Sequence, residues 1–389
     1  MKCTLTAGLA ALLTASAALS LAAAPALAAP VKVGMITTLS GGGAGLGIDV
    51  RDGFLLALKQ AGDAGAEVTV VTEDDQQKPD VAVQIADKMI QSDQVDILTG
   101  IIFSNIAMAV VPATVNQGKF YLSPNAGPSQ LAGKGCNANY FNVAYQNDNQ
   151  HEAAGEYANT LGYKKTFLLA PNYPAGKDSL AGFKRFYKGA LAGETYVKLG
   201  QTDFAAEIAQ IKASGADSVF IFLPGGMGIA FVKQFTGAET GLPLIGPGFS
   251  FDQDILGAVG AAALGAHNAA QWSPDLDNPA NKAFVEAFAA EYGRLPSVYA
   301  AQGYDTALLI LSANARAAVA DHDAYHAALK AADFPTVRGK FRFGNNQHPI
   351  QDFYGREVIA REDGVFTNRI TGTVFADHVD AYAADCPLK

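Results

Sequence analysis

The sequence VKVGMITTLSGGGAGLGIDVRDGFLLALKQAG, residues 31–62, contains the pattern that decides the fold. It starts with an apolar run at 31–36, passes through a glycine-rich turn, and continues as an amphipathic stretch at 49–61. A buried strand followed by a turn and a helix is the repeating unit of parallel α/β proteins. The stretch therefore predicts that the chain opens on such a unit.

The same alternation continues along the chain and predicts an α/β fold of two doubly wound, Rossmann-like lobes. The predicted strands are 31–36, 68–71, 95–98, 120–122, 166–170, 219–223 and 244–246, and the predicted helices between them include 49–61, 80–92, 105–117, 152–161 and 229–235. The polar stretch 137–149 interrupts the alternation, and we interpret it as a crossover between the lobes. Helices are predicted at 279–292 and 297–320, returning to the first lobe, and hairpin strands at 340–343, 356–361 and 365–374.

The N-terminus predicts export. Residues 5–24 carry no charge, Lys2 precedes them, and the small residues at 26–28 form a cleavage site, so residues 1–28 are predicted to be a signal peptide. An N-terminal membrane anchor is the alternative, because the apolar run approaches the roughly 20 residues that span a bilayer. After cleavage two cysteines remain, Cys136 and Cys386, which in an oxidising compartment favour one disulfide over two separate buried thiols.

The composition of the chain disfavours one class of partner. The chain has 389 residues, 49% of them hydrophobic and 17% charged, as in ordinary globular proteins. The 28 basic side chains are outnumbered by 37 acidic ones, giving a net charge of −9 without any basic run. This balance disfavours a nucleic-acid partner.

In open parallel sheets, ligands bind beyond the carboxyl ends of the strands, so the residues that follow each strand are the candidates for a site. The glycine-rich turn at 39–47 lacks the G-x-G-x-x-G spacing of dinucleotide sites, and no phosphate-binding loop occurs. Ser104 is predicted at the N-cap of the helix after the third strand, where its hydroxyl and the free N–H groups suit a carboxylate. The polar turn 123–128 follows the fourth strand, and aromatic residues follow strands of the second lobe.

No catalytic or metal-binding motif is present. There is no G-x-S-x-G motif and no H-E-x-x-H, since His151-Glu152 is followed by Ala153, Ala154 and Gly155. The pair His322 and His326 has the spacing of one helical face, but no third ligand accompanies it, which favours a solvated surface pair. We therefore predict a protein that is not an enzyme and uses neither cofactor nor metal.

Several of these segments together resemble the leucine/isoleucine/valine-type periplasmic solute-binding proteins of ABC transporters. The resemblance rests on residues 33–41, the G-x-x-x-S that ends at Ser104, the turn at 123–126, the loop around Tyr173 and the segment 303–305, and it covers essentially the whole mature chain. It implies the type I periplasmic binding-protein fold, with three crossings between two lobes that close on a ligand. We place the N-terminal lobe at 29–146 with 273–350 and the C-terminal lobe at 147–272 with 351–389.

The resemblance also implies which residues bind the ligand. The residues matching Ser104 and the turn Asn125, Ala126, Gly127 hold a carboxylate, and the one matching Tyr173 covers it from the second lobe. Amino-acid binders commonly place a hydroxyl residue where this chain has Gly127, and a glutamate that pairs with the ligand ammonium where it has Gly248. An ammonium buried without a carboxylate partner would be penalised by several kcal/mol.

We therefore expect a ligand with a carboxylate and no α-amino group, and prefer an aromatic acid such as a benzoate or hydroxycinnamate. We expect Gly248 to leave volume for it, and add to the candidate contacts Ser40, Phe103, Phe249, Phe251 and Trp272. The implied role is capture of this solute in the periplasm for an inner-membrane ABC permease, by a protein that we expect to be monomeric. The alternatives are a branched-chain or other amino-acid-binding protein, a ligand sensor for a membrane receptor, and an exported α/β enzyme.

Overall fold

A computed structural model describes residues 30–388, which form two α/β lobes. The strands are β1 Val31–Thr37, β2 Val68–Asp74, β3 Ile97–Thr99, β4 Phe120–Ser123, β5 Tyr140–Asn142, β6 Lys165–Pro171, β7 Ala190–Val197, β8 Ser218–Ile221, β9 Leu244–Pro247, β10 His267–Ala270, β11 Phe341–Phe343, β12 Pro349–Ala360 and β13 Phe366–His378. The helices are α1 Ala44–Gln60, α2 Asp63–Ala66, α3 Pro79–Gln91, α4 Ser104–Asn116, α5 Ser129–Ala132, α6 Asp148–Thr160, α7 Pro174–Phe186, α8 Ala205–Ala213, α9 Gly226–Gly237, α10 Gln253–Val259, α11 Pro279–Tyr292, α12 Val298–Asn314 and α13 His322–Ala331.

The first lobe is built on a five-stranded parallel sheet in the order β2-β1-β3-β4-β5. Side chains alternate across β1, so that Val33 and Met35 pack with α1 and α12 on one face. On the other face, Ile36 packs with α3 and α4. Burial of both faces explains why these strands appear in the sequence as continuous apolar runs.

The second lobe is built on a sheet in the order β11-β12-β10-β9-β8-β6-β7, with β13 paired to β12. Strands β6 to β10 are parallel to one another, whereas β12 is antiparallel to β10, β11 and β13. The two-lobed α/β fold with mostly parallel sheets is therefore confirmed.

The predicted strands and helices correspond to observed ones, with four corrections. Strand β12 begins at Pro349 rather than at residue 356, because its first residues pair with β11. The stretch 137–149 is not only a crossover, because it contains β5, a buried edge strand of the first sheet. Helix α1 begins at Ala44 rather than at residue 49, and α12 ends at Asn314 rather than at residue 320. The early start of α1 depends on Gly47, where a Cβ atom would lie 2.0 Å from the carbonyl oxygen of Thr38. The helix can therefore approach the end of β1 closely only because this residue is glycine.

The chain passes between the lobes three times, through 143–147, through 271–278 and along β12. The exact lobe limits given above stay predictions. Cys136 and Cys386 form a disulfide with a Cα–Cα distance of 5.8 Å, as predicted. Within residues 30–388, no helix is both long and apolar enough to span a bilayer. The predicted signal peptide at 1–28 lies outside the described residues.

Candidate functional site

A small cavity lies between the lobes, where the carboxyl ends of strands from both sheets face each other. The residues lining it are Leu46, Ile102, Phe103, Ser104, Asn125, Ala126, Tyr145, Asn147, His151, Tyr173, Ala175, Phe222, Pro224, Phe249 and Tyr299. Six of the predicted contacts are therefore brought together here, namely Phe103, Ser104, Asn125, Ala126, Tyr173 and Phe249.

Ser104 is the first residue of α4 and lies on the first-lobe wall of the cavity. The N-cap is Phe103, not Ser104 as predicted, because the backbone of Phe103 is extended and its carbonyl already accepts the first bonds of the helix. The Ser104 hydroxyl therefore does not cap its own helix. The first N–H groups of a helix have no intrahelical partner, so this helix end offers neutral donors to an anion.

Asn147 connects the two lobes beside Ser104. Its Nδ2 donates to Ser104 Oγ at 3.1 Å and to Asp178 Oδ2 at 2.9 Å, and its Oδ1 accepts from the N–H of Gly127 at 3.0 Å. The Gly127 N–H, expected to bind the ligand, is thus already bonded, and Gly127 is not among the lining residues. Asn147 holds this end of the cavity in a preformed network of hydrogen bonds.

The turn after β4 is held in the same way. Asn125 donates from Nδ2 to the carbonyl oxygen of Ile102 at 2.8 Å and accepts at Oδ1 from the Tyr145 hydroxyl at 2.9 Å. These bonds orient Asn125 and Ala126 along the cavity wall without using the Ser104 hydroxyl proton. That proton therefore stays available for a ligand oxygen.

Aromatic rings form most of the remaining wall. Tyr173 stacks on Phe222 with ring centroids 6.2 Å apart and lies 6.4 Å from Phe103 across the cleft. Phe249 lies 5.6 Å from Phe222 and 6.2 Å from Tyr299, which α12 contributes from the first lobe. These rings contact one another and make this part of the lining aromatic.

The remaining predicted contacts lie away from the cavity. Ser40 is exposed at the start of the glycine-rich turn. Trp272 is fully buried and donates from Nε1 to Asn281 Oδ1 at 2.6 Å. Phe251 is buried in the core of the second lobe. Each of these side chains therefore has a packing or surface position that explains it without a ligand.

Gly248 does not leave volume for a ligand, contrary to the expectation. A Cβ atom on Gly248 would lie 2.6 Å from the Cβ of Ala270 and 2.9 Å from Nη2 of Arg356. Its N–H donates to Gln150 Oε1 at 2.9 Å, and its carbonyl oxygen accepts from Arg356. The space beside Gly248 is thus filled by a guanidinium group.

The cavity lining is uncharged. Among residues 30–388, those that line it include no Asp, Glu, Lys or Arg. Burial lowers the pKa of His151 to about 3 and raises the pKa values of Tyr145, Tyr173 and Tyr299, so all four side chains are neutral near pH 7. The described part of the chain also holds no cluster of His, Cys, Asp and Glu suited to a metal ion.

Sequence reasoning missed Tyr145, Asn147, His151, Phe222 and Tyr299. Tyr145 and Asn147 fall in the stretch that was interpreted only as a crossover, and Phe222 was assigned to the inside of a strand that ends one residue earlier. His151 and Tyr299 come from helices, where no strand-end position indicated them. The polarity of the crossover was the one signal that pointed towards this part of the site.

Comparison with known proteins gives consistent matches. The family model for periplasmic binding proteins matches residues 30–364. A protein of Brucella melitensis called Leu/Ile/Val-binding protein homolog 6 is 29% identical over 376 residues, covering 92% of this chain and 95% of the relative. The matched range contains every residue that lines the cavity.

Two crystal structures of solute-binding proteins of ABC transporters are also similar. One, from R. palustris in complex with benzoate, is 31% identical with a TM-score of 0.87 and covers 92% of this chain and 99% of that chain. Another, from Rhodopseudomonas palustris BisB5 in complex with 3,4-dihydroxybenzoic acid, is 28% identical with a TM-score of 0.82 and covers 90% and 98%. Both similarities extend over the two lobes and the cavity between them.

Proposed function

The chain belongs to the periplasmic binding protein family, and from this membership we propose that it captures an aromatic carboxylate, such as a benzoate, between its lobes. Solute-binding proteins of this family bind small molecules in the periplasm and deliver them to ABC permeases, and they are not enzymes. We propose that this chain acts as a monomer and is exported by cleavage of its first 28 residues.

The uncharged cavity lining carries the proposal. A carboxylate finds neutral donors at the start of α4, including the Ser104 hydroxyl, and the dipole of the helix favours a negative charge there. An α-ammonium finds no carboxylate partner in the lining. The site therefore favours an acid that lacks an amino group.

The aromatic wall supports a ring as the rest of the ligand. Burying roughly 150 to 250 Å² of ring surface at about 25 cal/mol/Å² contributes roughly 4 to 6 kcal/mol. Micromolar binding requires about 8 kcal/mol beyond the costs of association, so the carboxylate contacts must supply the remainder.

Branched-chain amino-acid binding is the second candidate. Its support is the name of the relative from Brucella melitensis. Against it stands the absence of an acidic side chain from the described lining. A ligand sensor would use the same cavity as a transport protein. It would differ only in its membrane partner, which would be a receptor instead of a permease.

Calorimetric titration of ligand-stripped, refolded protein tests the proposal. We expect benzoate to bind in the micromolar range and leucine to bind at least a hundredfold more weakly than benzoate. Tighter binding of leucine than of benzoate would contradict the proposal.

A further inference from the structure

We propose that His151 recognises a hydroxyl group on the ligand ring, so that the preferred ligand is a benzoate hydroxylated away from its carboxylate. This inference rests on the proposed function, because it assumes a ring in the cavity. His151 lies on α6, is 1% exposed and lines the cavity. Its imidazole is the one nitrogen-bearing ring within an aromatic part of the lining.

The neighbours of His151 leave it few polar partners. Its ring meets Phe220, Phe222 and Phe249 edge-on, with centroids 5.9, 5.0 and 5.9 Å away. Its Nδ1 lies 3.1 Å from Ser179 Oγ, and within residues 30–388 its Nε2 makes no hydrogen bond. The imidazole thus has one nitrogen satisfied by the protein and one left for the cavity.

The Ser179 contact determines which nitrogen carries the proton. Within the described chain, the Ser179 hydroxyl has no hydrogen-bond partner other than Nδ1 of His151, so its proton can be used only by donating to that atom. Nδ1 is then the acceptor, and the neutral ring carries its hydrogen on Nε2. Ser179 is therefore a positioning residue, and His151 presents an N–H donor to the ligand.

A buried donor without an acceptor is costly, and a ligand oxygen removes that cost. The carboxylate is expected at Ser104 on the first lobe, which leaves the oxygen of a ring hydroxyl as the acceptor for His151. The hydroxyl proton in turn needs an acceptor. Tyr299 lines the same cavity, and its hydroxyl makes no hydrogen bond within residues 30–388, so its oxygen can accept that proton. Benzoate has no ring hydroxyl and therefore forms a hydrogen bond with neither His151 nor Tyr299.

Titration of the wild type and of His151→Phe with benzoate, 3-hydroxybenzoate and 4-hydroxybenzoate tests the proposal. We expect the wild type to bind at least one hydroxybenzoate about tenfold more tightly than benzoate. In His151→Phe that preference should disappear, because the phenyl ring keeps the packing but offers no donor.

Ser179→Ala provides a second variant that leaves the imidazole in place. Without the hydroxyl, the hydrogen is free to move to Nδ1, so the hydroxybenzoate preference should fall severalfold while benzoate affinity stays unchanged. A purely structural role of Ser179 would weaken all three ligands alike. This variant also tests the proposal if His151→Phe does not fold.

Two results would overturn the inference and leave the proposed function intact. One is a wild type that binds benzoate at least as tightly as both hydroxybenzoates. The other is an equal loss of benzoate and hydroxybenzoate affinity in His151→Phe, which would assign His151 to the carboxylate. A wild type that binds none of the three acids would overturn the proposed function as well. This result differs from the two above, in which the acids still bind.

Discussion

Arg356 donates a hydrogen bond of 3.2 Å from Nη2 to the carbonyl oxygen of Gly248. The same guanidinium bonds to Asn268 Oδ1 and to the carbonyl oxygen of Trp272, and its Nη2 lies 3.8 Å from Asp252. A fully buried cation therefore occupies the direction in which a side chain at residue 248 would extend. Where the family resemblance implies a glutamate for the ligand ammonium, this protein has a positive charge.

Replacing Gly248 with alanine tests this packing. We expect Gly248→Ala to lower the free energy of unfolding by about 1 to 3 kcal/mol, because the new methyl group would lie 2.6 Å from the Cβ of Ala270. Urea denaturation measures the change. Gly257→Ala on α10 is the matched control, since a Cβ there meets no atom within 4 Å and should leave stability unchanged or raise it by up to about 1 kcal/mol. Equal stability of both variants would contradict the observed packing.

Replacing Ser104 with alanine tests the carboxylate end of the cavity. We expect benzoate affinity to fall by about ten to a hundredfold, because a hydrogen bond to a charged group contributes about 1.5 to 3 kcal/mol. Calorimetry of Ser104→Ala and of the exposed control Ser92→Ala would give the two affinities. If Ser104→Ala bound benzoate as tightly as the control, Ser104 would have no part in the site.

The buried Asp49 should make stability depend on pH. Burial raises its pKa from 3.8 to about 6, against the opposing effects of Arg294, 2.7 Å away, and of the Ser297 hydroxyl, which donates to it. A folded-state pKa above the unfolded value stabilises the protein at low pH, and this contribution of about 3 kcal/mol is lost as the pH rises from about 4 through about 6.

We therefore expect the free energy of unfolding to decrease between pH 4 and pH 7, and Asp49→Asn to reduce that decrease. Burial raises the pKa of Asp148 to about 6 as well, so part of the slope should remain in the variant. Urea denaturation across this pH range measures the slope. The exposed control Asp87→Asn should keep the wild-type slope, and an unchanged slope in Asp49→Asn would show that Asp49 does not titrate in this range.

The disulfide ties the C-terminal segment to the first lobe. Cys386 lies beyond β13 of the second sheet, and Cys136 follows α5 of the first lobe. In the same C-terminal segment, the Tyr382 hydroxyl donates to Asp148 Oδ2 of α6 at 2.9 Å. We expect Cys136→Ser combined with Cys386→Ser to lower the free energy of unfolding by about 2 to 5 kcal/mol, because the bond closes a long loop in the unfolded chain. Urea denaturation measures this, and reduction of the wild type should reproduce the change. No difference between variant and wild type would show that the pair contributes nothing to stability.

The sequence predicted the parts of the fold that are buried on both faces. Strands such as β1 and β6 are continuous apolar runs and were found close to their observed bounds. Strand β7 was missed because it is an edge strand with mostly exposed side chains, and β10 because its sequence, His-Asn-Ala-Ala, is short and partly polar. The pattern of apolar residues indicates which strands are buried. It therefore does not identify strands that pair in a sheet but lack an apolar face.

The site was predictable only where it follows strands. Ser104 and Tyr173 come directly after strand ends, a position that topology alone makes functional. His151 and Tyr299 reach the cavity from α6 and α12, which lie far apart in the chain. The filling of the space at Gly248 by Arg356 likewise depends on a strand more than a hundred residues away.

The affinities of leucine and of 4-methylpentanoate, measured by calorimetry on the same ligand-stripped protein, test the uncharged character of the site most directly. The two molecules share a carbon skeleton and a carboxylate and differ only in the α-ammonium. We expect 4-methylpentanoate to bind at least tenfold more tightly, because the described lining offers the ammonium no carboxylate and burying it unpaired is penalised by several kcal/mol. Tighter binding of leucine would contradict the assignment of this cavity to acids without an amino group.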